Sequence, residues 1–260
     1  MQMQMTIHKH NENPWLTSPH TSGLISLPAR GISLFSSCSG PARRHHTDDP
    51  IVIFFTGAGG PSALYVKVQE HLSAFVRTFF FDRAGYDRSS LPTHDGPLIA
   101  EDGAHDLACL LDTLDISPPY VLVGHSFGGV PLREFMHVAL REGVGRMKMN
   151  TEPKNDDHGR SKDHALPREP PVKDVIAGIV LVDTATELML SLYPRVPAAE
   201  LVAVSEDVDW EAVTHLREQS GMTEREWDCA MAAAARTRRN VADREDTHVL
   251  REWDKRRSQR

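Results

Sequence analysis

One stretch of ten residues constrains the fold of this chain more than any other: Tyr120–Gly129, with the sequence YVLVGHSFGG. Its first four residues are aromatic or apolar without interruption, which is typical of a strand buried on both faces of a sheet. The apolar spacing that follows, from Val130 to Arg141, predicts a helix. A buried strand therefore passes into a helix through a short turn, and a serine, Ser126, stands at the centre of that turn.

Two glycines, Gly124 and Gly128, stand two residues before and two residues after Ser126. A sharp strand-to-helix turn holds its central serine in a strained conformation, and small residues at these positions avoid clashes. The turn projects the hydroxyl at the carboxyl end of the sheet, where the N-terminus of the next helix favours developing negative charge. We therefore predict that Ser126 is a catalytic nucleophile. The alternative is a glycine-rich turn with an ordinary serine.

Strand and helix patterns alternate on either side of this turn. Apolar runs predict buried strands at 51–55, 78–81, 120–123 and 175–182, and helical spacing occurs at 62–76, 100–115 and 130–141. Two shorter runs, 23–27 and 31–35, flank Pro28-Ala-Arg-Gly31 and predict a β-hairpin. This order predicts an α/β fold with a mostly parallel central sheet, flanking helices and an antiparallel N-terminal hairpin.

The rest of the chain departs from this alternation. Residues 1–20 are predicted to be a loose polar tail, and 145–174 a polar surface insertion within a core that spans 21–188. Helical patterns at 198–212, 223–238 and 245–257 predict that 189–260 form a lid followed by a basic C-terminal segment. No convincing strand pattern follows residue 182, so we expect the core to lack its last strands. That expectation implies an exposed sheet edge, through which the protein would self-associate.

Composition narrows the classes of function. The chain has 260 residues with a net charge of −7, which argues against a nucleic-acid partner. No run approaches 18 consecutive apolar residues, so no membrane span is expected. The N-terminal segment lacks the apolar part of a secretory signal, and the three cysteines are too widely spaced for a disulfide framework or a metal site. We therefore expect a cytoplasmic location and no metal.

A serine nucleophile needs hydrogen-bond donors for the oxyanion that it creates. One expected donor is the backbone N–H of Phe127, and a second should come from the loop after the strand at 51–55. That loop is Thr56–Gly60, TGAGG, in which Gly57 is a small residue near the turn and Ala58 is our candidate second donor. A phosphate-binding loop is a weaker interpretation because no GxGxxG or GK[ST] pattern is present, and no cofactor is expected. A plain flexible turn is the remaining alternative.

Three segments carry a family resemblance. They are the strand with its TGAGG loop, Phe81–Ser89 (FDRAGYDRS) and Gly124–Gly129 (GHSFGG), in this order and spacing. Together they resemble α/β-hydrolases of the AB-hydrolase group, over about residues 21–188, and they identify the superfamily far better than the substrate. Thr56 stands where many members have a histidine. Because dehalogenase and epoxide hydrolase relatives carry aspartate at the position of Ser126, the serine argues against an alkyl-enzyme mechanism.

The resemblance also implies a catalytic triad in the chain order serine, acid, histidine. Asp183 follows a predicted strand at the same sheet edge as the serine and is the candidate acid, although an aspartate that caps a loop is an equal alternative. His215 and His248 fall on predicted helices, where surface or packing roles are the simpler interpretation, so the base is left unassigned. His125 adjoins the serine, but such a turn points it elsewhere, and its expected role in the turn is packing. Asp82 and Arg83 are interpreted as structural.

These features predict a serine hydrolase of ester, thioester or lactone bonds that forms an acyl-enzyme on Ser126 with a small-molecule acyl substrate. The alternative is a catalytically impaired hydrolase-like protein that binds a small hydrophobic ligand or a protein partner. An acyltransferase would have to exclude water from the acyl-enzyme, and the sequence shows no sign of that. The residues after Asp183 are too few for both a lid and two further strand–helix units, so we expect a truncated, inactive or partner-completed hydrolase.

Overall fold

Six strands of the described residues form a mixed sheet at the core of the protein. A computed structural model describes residues 13–43, 49–143, 172–184, 208–238 and 240–241. The strands are β1 (His20–Leu27), β2 (Ile32–Ser39), β3 (Ile51–Phe55), β4 (Thr78–Phe81), β5 (Tyr120–His125) and β6 (Ile176–Val182). They lie in the order β1-β2-β4-β3-β5-β6. The β1–β2 and β2–β4 pairs are antiparallel and the other pairs are parallel, which confirms the predicted α/β fold and its N-terminal hairpin.

Helices connect and cover these strands. They are α1 (Pro14–Thr17), α2 (Val66–Ser73), α3 (Ala100–Thr113), α4 (Gly129–Val138), α5 (Val172–Val175), α6 (Trp210–Thr214), α7 (Leu216–Gln219) and α8 (224–238, with 240–241 also helical). A 3₁₀ turn, Ser62–Tyr65, precedes α2, and a second one, Ser126–Gly128, joins β5 to α4. Within the described residues, no helix is long and apolar enough to cross a lipid bilayer.

The apolar core lies on both faces of the sheet. Ile53 and Phe55 of β3 belong to the larger cluster, which also contains buried leucines of α3 and α4. Phe54, between them, packs on the opposite face in a smaller cluster with Leu72 of α2. Because successive strand side chains point to opposite faces, a strand covered on both sides must be apolar at every position. The uninterrupted apolar runs of the sequence have this cause.

The strand β6 is an exception to this burial. Its position agrees with the prediction, but the interpretation as a strand buried on both faces is wrong. The side chains of Ile179–Val182 are between 43% and 49% exposed. We call these four residues the β6 edge. Because successive strand side chains point to opposite faces, both faces of the β6 edge are partly exposed, although its sequence is as apolar as that of a strand covered on both faces. β6 pairs with β5 and lies last in the order of the described strands.

Residues outside the core only partly agree with the sequence predictions. The described part of the predicted loose tail, 13–20, contains α1 and the first residue of β1, and Trp15 and Leu16 are buried in the core. The helix predicted at 223–238 is present as α8. It begins with a capping box, in which the N–H of Thr223 donates to the carboxylate of Glu226 and the N–H of Glu226 donates to the hydroxyl of Thr223. The helix predicted at 198–212 overlaps α6, and the insertion predicted at 145–174 ends in α5. The remainder of both predictions, and a helix predicted at 245–257, lie outside the described residues. Within 208–238 and 240–241 no strand follows β6.

Candidate active site

The turn after β5 has the strained geometry that its sequence predicts. Ser126 has a φ of 51°, in the left-handed region that non-glycine residues rarely adopt. A Cβ at Gly128 would lie 2.2 Å from the carbonyl oxygen of Phe55, so only glycine fits there. A Cβ at Gly124 would lie 3.0 Å from the Cα of Gly129. The turn is therefore packed tightly against the end of β3, and the nucleophilic role of Ser126 stays a prediction.

Three adjacent strands bring their carboxyl ends to one edge. Phe55 of β3 pairs with Gly124 of β5, and His125 of β5 pairs with Val182 of β6. The loop after β3, Ser126 and Asp183 therefore follow matched positions of neighbouring strands, which lie about 4.8 Å apart. The predicted acid lies at the same edge as the predicted nucleophile.

The loop Thr56–Gly60, which we call the oxyanion loop, lies directly against this turn. A Cβ at Gly57 would lie 3.3 Å from the Cβ of Ser126. Ala58 is exposed, and the structure gives its N–H no acceptor among the described residues. Phe127 is the second residue of a helical turn, where an N–H has no acceptor within the helix. Neither predicted donor N–H has an acceptor among the described residues, and their oxyanion role stays a prediction.

Two tyrosines for which the sequence predicted no role hold the oxyanion loop. The Tyr65 hydroxyl accepts a hydrogen bond from the N–H of Gly57 at 3.0 Å and lies 2.8 Å from Nδ1 of His125. The Tyr86 hydroxyl accepts from the N–H of Gly59 at 2.9 Å. Burial raises the pKa of the Tyr65 hydroxyl, so it remains protonated at neutral pH. His125 is therefore bonded to Tyr65 and does more than fill space in the turn.

The buried side chain of Arg83 supports the same loop. Its guanidinium donates hydrogen bonds to the carbonyl oxygens of Thr56 at 2.8 Å and Gly57 at 3.1 Å, and to the hydroxyl of Tyr86. It also lies over the ring of Tyr86, 4.3 Å from the centroid, and 5.4 Å from that of Phe127. These contacts agree with the structural role predicted for Arg83.

The carboxyl group of Asp82, at the end of β4, is fully buried. Its Oδ1 accepts a hydrogen bond from the N–H of Ser62 at 2.6 Å, whereas Oδ2 has no partner among the described residues. Burial raises the pKa of Asp82 to about 6, against a smaller opposing effect of the Ser62 hydrogen bonds. The neighbouring strand end thus carries a carboxyl group that is poorly compensated when ionised.

Asp183 is held less firmly than Ser126. It has a φ of 45° and an exposed side chain, and the described part of the chain offers it no hydrogen bond or ion pair. The next residue, Thr184, packs against the start of α4, where a Cβ at Gly129 would lie 2.7 Å from the Cβ of Thr184. The backbone near Asp183 is therefore anchored, while its carboxylate has no described histidine beside it.

Neither candidate base, His215 or His248, is described in contact with Ser126. His215 is exposed and precedes α7, and its Nδ1 lies 3.5 Å from a carboxylate oxygen of Glu218. His248 lies outside the described residues. No group of three or more His, Cys, Asp or Glu side chains among the described residues is arranged to hold a metal ion. The catalytic base therefore stays unassigned.

A cavity of about 250 Å³ lies beside the turn. Phe127 and Arg83 line one part of it, and apolar residues such as Ile32 and Leu98 line another. Asp106 contributes a carboxylate that pairs with Arg30 at 2.6 Å. The cavity combines apolar side chains with a few charged groups, as small-molecule sites commonly do.

Comparisons with known proteins agree with this geometry. The alpha/beta hydrolase family model matches residues 52–260. The protein named "Probable transporter efuK" from Hormonema carpetanum is 37% identical over 196 residues, which cover 75% of this chain and 22% of that protein. The "AB hydrolase superfamily protein" of Gibberella zeae is 32% identical over 127 residues, 48% of this chain and 39% of that protein. The chain thus spans well under half the length of these two relatives.

A solved structure of similar fold is that of Cfl2 from Burkholderia cenocepacia. It superimposes with a TM-score of 0.56 at 15% sequence identity, over 95% of this chain and 76% of that chain. At this identity the likeness concerns the fold alone. The family match over most of the chain, together with the sheet order and the turn at Ser126, shows that this protein belongs to the alpha/beta hydrolase family.

Proposed function

We propose that this protein is a serine hydrolase that cleaves ester, thioester or lactone bonds through an acyl-enzyme on Ser126. The observation that carries the proposal is the strained conformation of Ser126, with a φ of 51°, beside a loop in which the N–H of Ala58 has no described acceptor. Strain of this kind persists only where the surrounding structure enforces it, and it concentrates at active sites. Family membership supports hydrolysis, and the hydroxyl nucleophile supports an acyl substrate.

In the proposed reaction, the Oγ of Ser126 attacks the carbonyl carbon of the substrate and its proton passes to a base. The carbonyl oxygen becomes an oxyanion that accepts hydrogen bonds from the N–H groups of Ala58 and Phe127. The alcohol or thiol leaves with a proton, and water then attacks the acyl-enzyme, which releases the acid and restores the serine. Asp183 is the proposed acid that orients the base. We do not assign the base to a particular histidine.

Hydrolysis of p-nitrophenyl butyrate tests this proposal. We expect turnover by the wild-type chain and a loss on the order of 10⁴-fold or more in Ser126→Ala, because removing a nucleophile leaves only the donors and binding. The control is Ser220→Ala, which changes a half-buried serine at the end of α7 and should keep wild-type turnover. Turnover that survives in Ser126→Ala would refute the acyl-enzyme. In parallel, His248→Ala with unchanged turnover would eliminate His248 as the base.

A second candidate function is non-catalytic binding, favoured by the exposed β6 edge and the carboxylate of Asp183, which has no partner among the described residues. In this case a small hydrophobic ligand would occupy the cavity beside Phe127, or copies of the chain would associate through the β6 edge. Folded protein without turnover, which binds an apolar fluorophore or forms dimers that Val180→Lys disrupts, would favour this function over hydrolysis.

We also retain the proposed division into a core, 21–188, and a lid, 189–260. The described contacts of α8 support the lid, since Arg236 pairs with Asp87 and Glu226 pairs with Lys67, 3.1 Å apart. Asp87 and Lys67 belong to segments that follow the carboxyl ends of β4 and β3.

The cytoplasmic location stays a prediction, which imaging of a tagged chain in its native cell would test.

A further inference from the structure

We infer that Tyr65 and Tyr86 are positioning residues that fix the N–H of Ala58 as an oxyanion donor. The inference rests on the proposed function and adds two residues to it. One tyrosine hydroxyl accepts a hydrogen bond from the N–H immediately before that of Ala58, and the other accepts one from the N–H immediately after it. The amide between them is the one that the described residues leave without an acceptor.

Tyr65 holds the first side of the oxyanion loop. Its hydroxyl accepts the Gly57 N–H at 3.0 Å while it is also hydrogen-bonded to Nδ1 of His125, the residue before the predicted nucleophile. Its ring packs against Phe54, with centroids 5.0 Å apart, and against His125, at 5.6 Å. One hydroxyl thus joins the oxyanion loop to the strand that carries Ser126, so the two parts of the site keep a fixed spacing.

Tyr86 holds the other side. Its hydroxyl accepts the Gly59 N–H at 2.9 Å and a second hydrogen bond from the guanidinium of Arg83. The same guanidinium binds the carbonyl oxygens of Thr56 and Gly57, so it holds the start of the loop and the tyrosine together. The ring of Tyr86 is fully buried, which leaves its hydroxyl little freedom to move.

The loop needs such support because three of its five residues are glycines. Glycine backbones sample many conformations, and a donor that must reorient as charge develops gives less transition-state stabilisation than one already in place. With the N–H groups of Gly57 and Gly59 engaged, and that of Gly60 bonded to the carbonyl of Gly57 at 3.2 Å, the peptide between them is held in one orientation. The two hydroxyls therefore act on the reaction through the Ala58 N–H and not on the substrate directly.

A tyrosine elsewhere in the core provides a matched control. Tyr120 is as fully buried as Tyr86, and its hydroxyl donates a 2.7 Å hydrogen bond to the carbonyl of Ile116, away from the oxyanion loop. Tyr120→Phe and Tyr86→Phe each remove one buried hydroxyl, so both are expected to lower stability. Only the loss of the Tyr86 hydroxyl should reduce the stabilisation of the transition state.

The test compares wild type with Tyr65→Phe, Tyr86→Phe, the double variant and Tyr120→Phe. For p-nitrophenyl butyrate we expect each single loop variant to lower kcat about 10-fold and the double variant about 100-fold, which approaches the loss of one oxyanion donor, with KM within about 2-fold of wild type. The rate of labelling by a fluorophosphonate probe should fall in parallel. Tyr120→Phe should keep the wild-type kcat and labelling rate despite a lower Tm.

The outcomes separate this inference from the proposed function. An active wild type whose Tyr65→Phe and Tyr86→Phe variants keep kcat within about 2-fold, or raise KM instead, overturns the positioning role alone. A folded wild type with neither turnover nor labelling overturns the proposed function, and this inference with it. Tyr65 is only half-buried, so Tyr65→Phe still tests the positioning role if Tyr86→Phe does not fold.

Discussion

The two sides of the sheet edge that carries the candidate site differ in how firmly they are held. On the β3 side every strand residue is buried, and the following loop is bonded to Tyr65, Tyr86 and Arg83. On the β6 side the strand has one neighbour among the described strands, the β6 edge is nearly half exposed, and Asp183 has no described partner. The proposed nucleophile and oxyanion donors therefore lie on the buried part of the core, whereas the proposed acid follows a strand whose last residues are nearly half exposed.

Two glycine substitutions compare the packing of the two sides most strongly. Gly128→Ala places a Cβ 2.2 Å from Phe55 O and 2.7 Å from Phe55 C, backbone atoms that cannot move aside. We expect it to lower the free energy of unfolding by at least about 4 kcal/mol, or to prevent folding. Gly178→Ala, in β6, meets nothing nearer than a Val121 methyl at 3.7 Å and should change it by less than about 1 kcal/mol. Urea unfolding measures both.

The contrast fails if the two glycine variants lose similar stability. A soluble Gly128→Ala variant with a wild-type unfolding midpoint would mean that the turn after Ser126 is looser than its geometry indicates. A large loss in Gly178→Ala would mean that β6 is packed more tightly than its exposure implies.

A pair of leucines tests the exposure of β6 itself. Leu122 of β5 is fully buried, and Leu181 of the β6 edge is 49% exposed. Leu122→Ala should cost about 3 kcal/mol because it leaves a cavity, and Leu181→Ala less than about 1 kcal/mol. Equal losses in urea unfolding would show that another part of the chain, or a second copy, covers β6 in solution.

Two aspartates at strand ends sharpen the comparison through pH. The pKa of Asp82 is raised by burial to about 6, above the value of about 3.9 in unfolded chains. The folded state thus binds the proton more tightly, so the stability from this group is complete below about pH 4 and is lost as pH rises through about 6. The loss is about 2–3 kcal/mol.

As pH rises from about 4 to about 7, the free energy of unfolding of Asp82→Asn should therefore increase relative to that of wild type by about 2–3 kcal/mol. Asn retains an oxygen for the Ser62 N–H, and its amide nitrogen replaces Oδ2, which has no described partner. Asp183→Asn, on the exposed side, is the control and should keep the wild-type slope, since Asp82 is intact. Parallel stability profiles for wild type and Asp82→Asn would contradict the assignment.

The smallest effect concerns backbone strain at Ser126, the proposed nucleophile. Ser126 has a φ of 51°, in the left-handed region that is unfavourable for residues with a Cβ. Glycine lacks this penalty, so Ser126→Gly should raise the free energy of unfolding by about 1 kcal/mol. Ser220→Gly, at a φ of −65°, should lose stability instead. A lower Tm for Ser126→Gly would show that the turn is not strained.

Local patterns in the sequence predicted most of the sheet. The runs at β3, β4 and β5 and the hairpin were identified because burial on both faces and a turn between apolar runs leave local signatures. The exposure of β6 was not predictable in this way. Its apolar run, Ile176–Val182, would look the same with or without a covering layer, and the exposure becomes visible only in the folded chain, where β6 has one neighbour among the described strands.

The candidate site divides similarly. The turn at Ser126 is local, so the residues two positions away on each side were enough to predict it. The hydroxyls of Tyr65 and Tyr86 reach the oxyanion loop across 8 and 27 residues of sequence, through contacts that only the folded chain creates. Tyr86 lies in the Phe81–Ser89 segment that carries the family resemblance, which was the only available signal. Nothing in the sequence around Tyr65 indicated its role.

Reaction with a fluorophosphonate probe, followed by mass spectrometry of the tryptic peptides, tests the central claim most directly. An activated serine attacks the probe and retains a phosphonyl group, whereas an ordinary serine does not react. We predict a single adduct on Ser126 in the wild-type chain, and none in Ser126→Ala at the same protein concentration. A folded wild-type chain without an adduct, or with its adduct on another residue, would contradict the claim that Ser126 is the nucleophile.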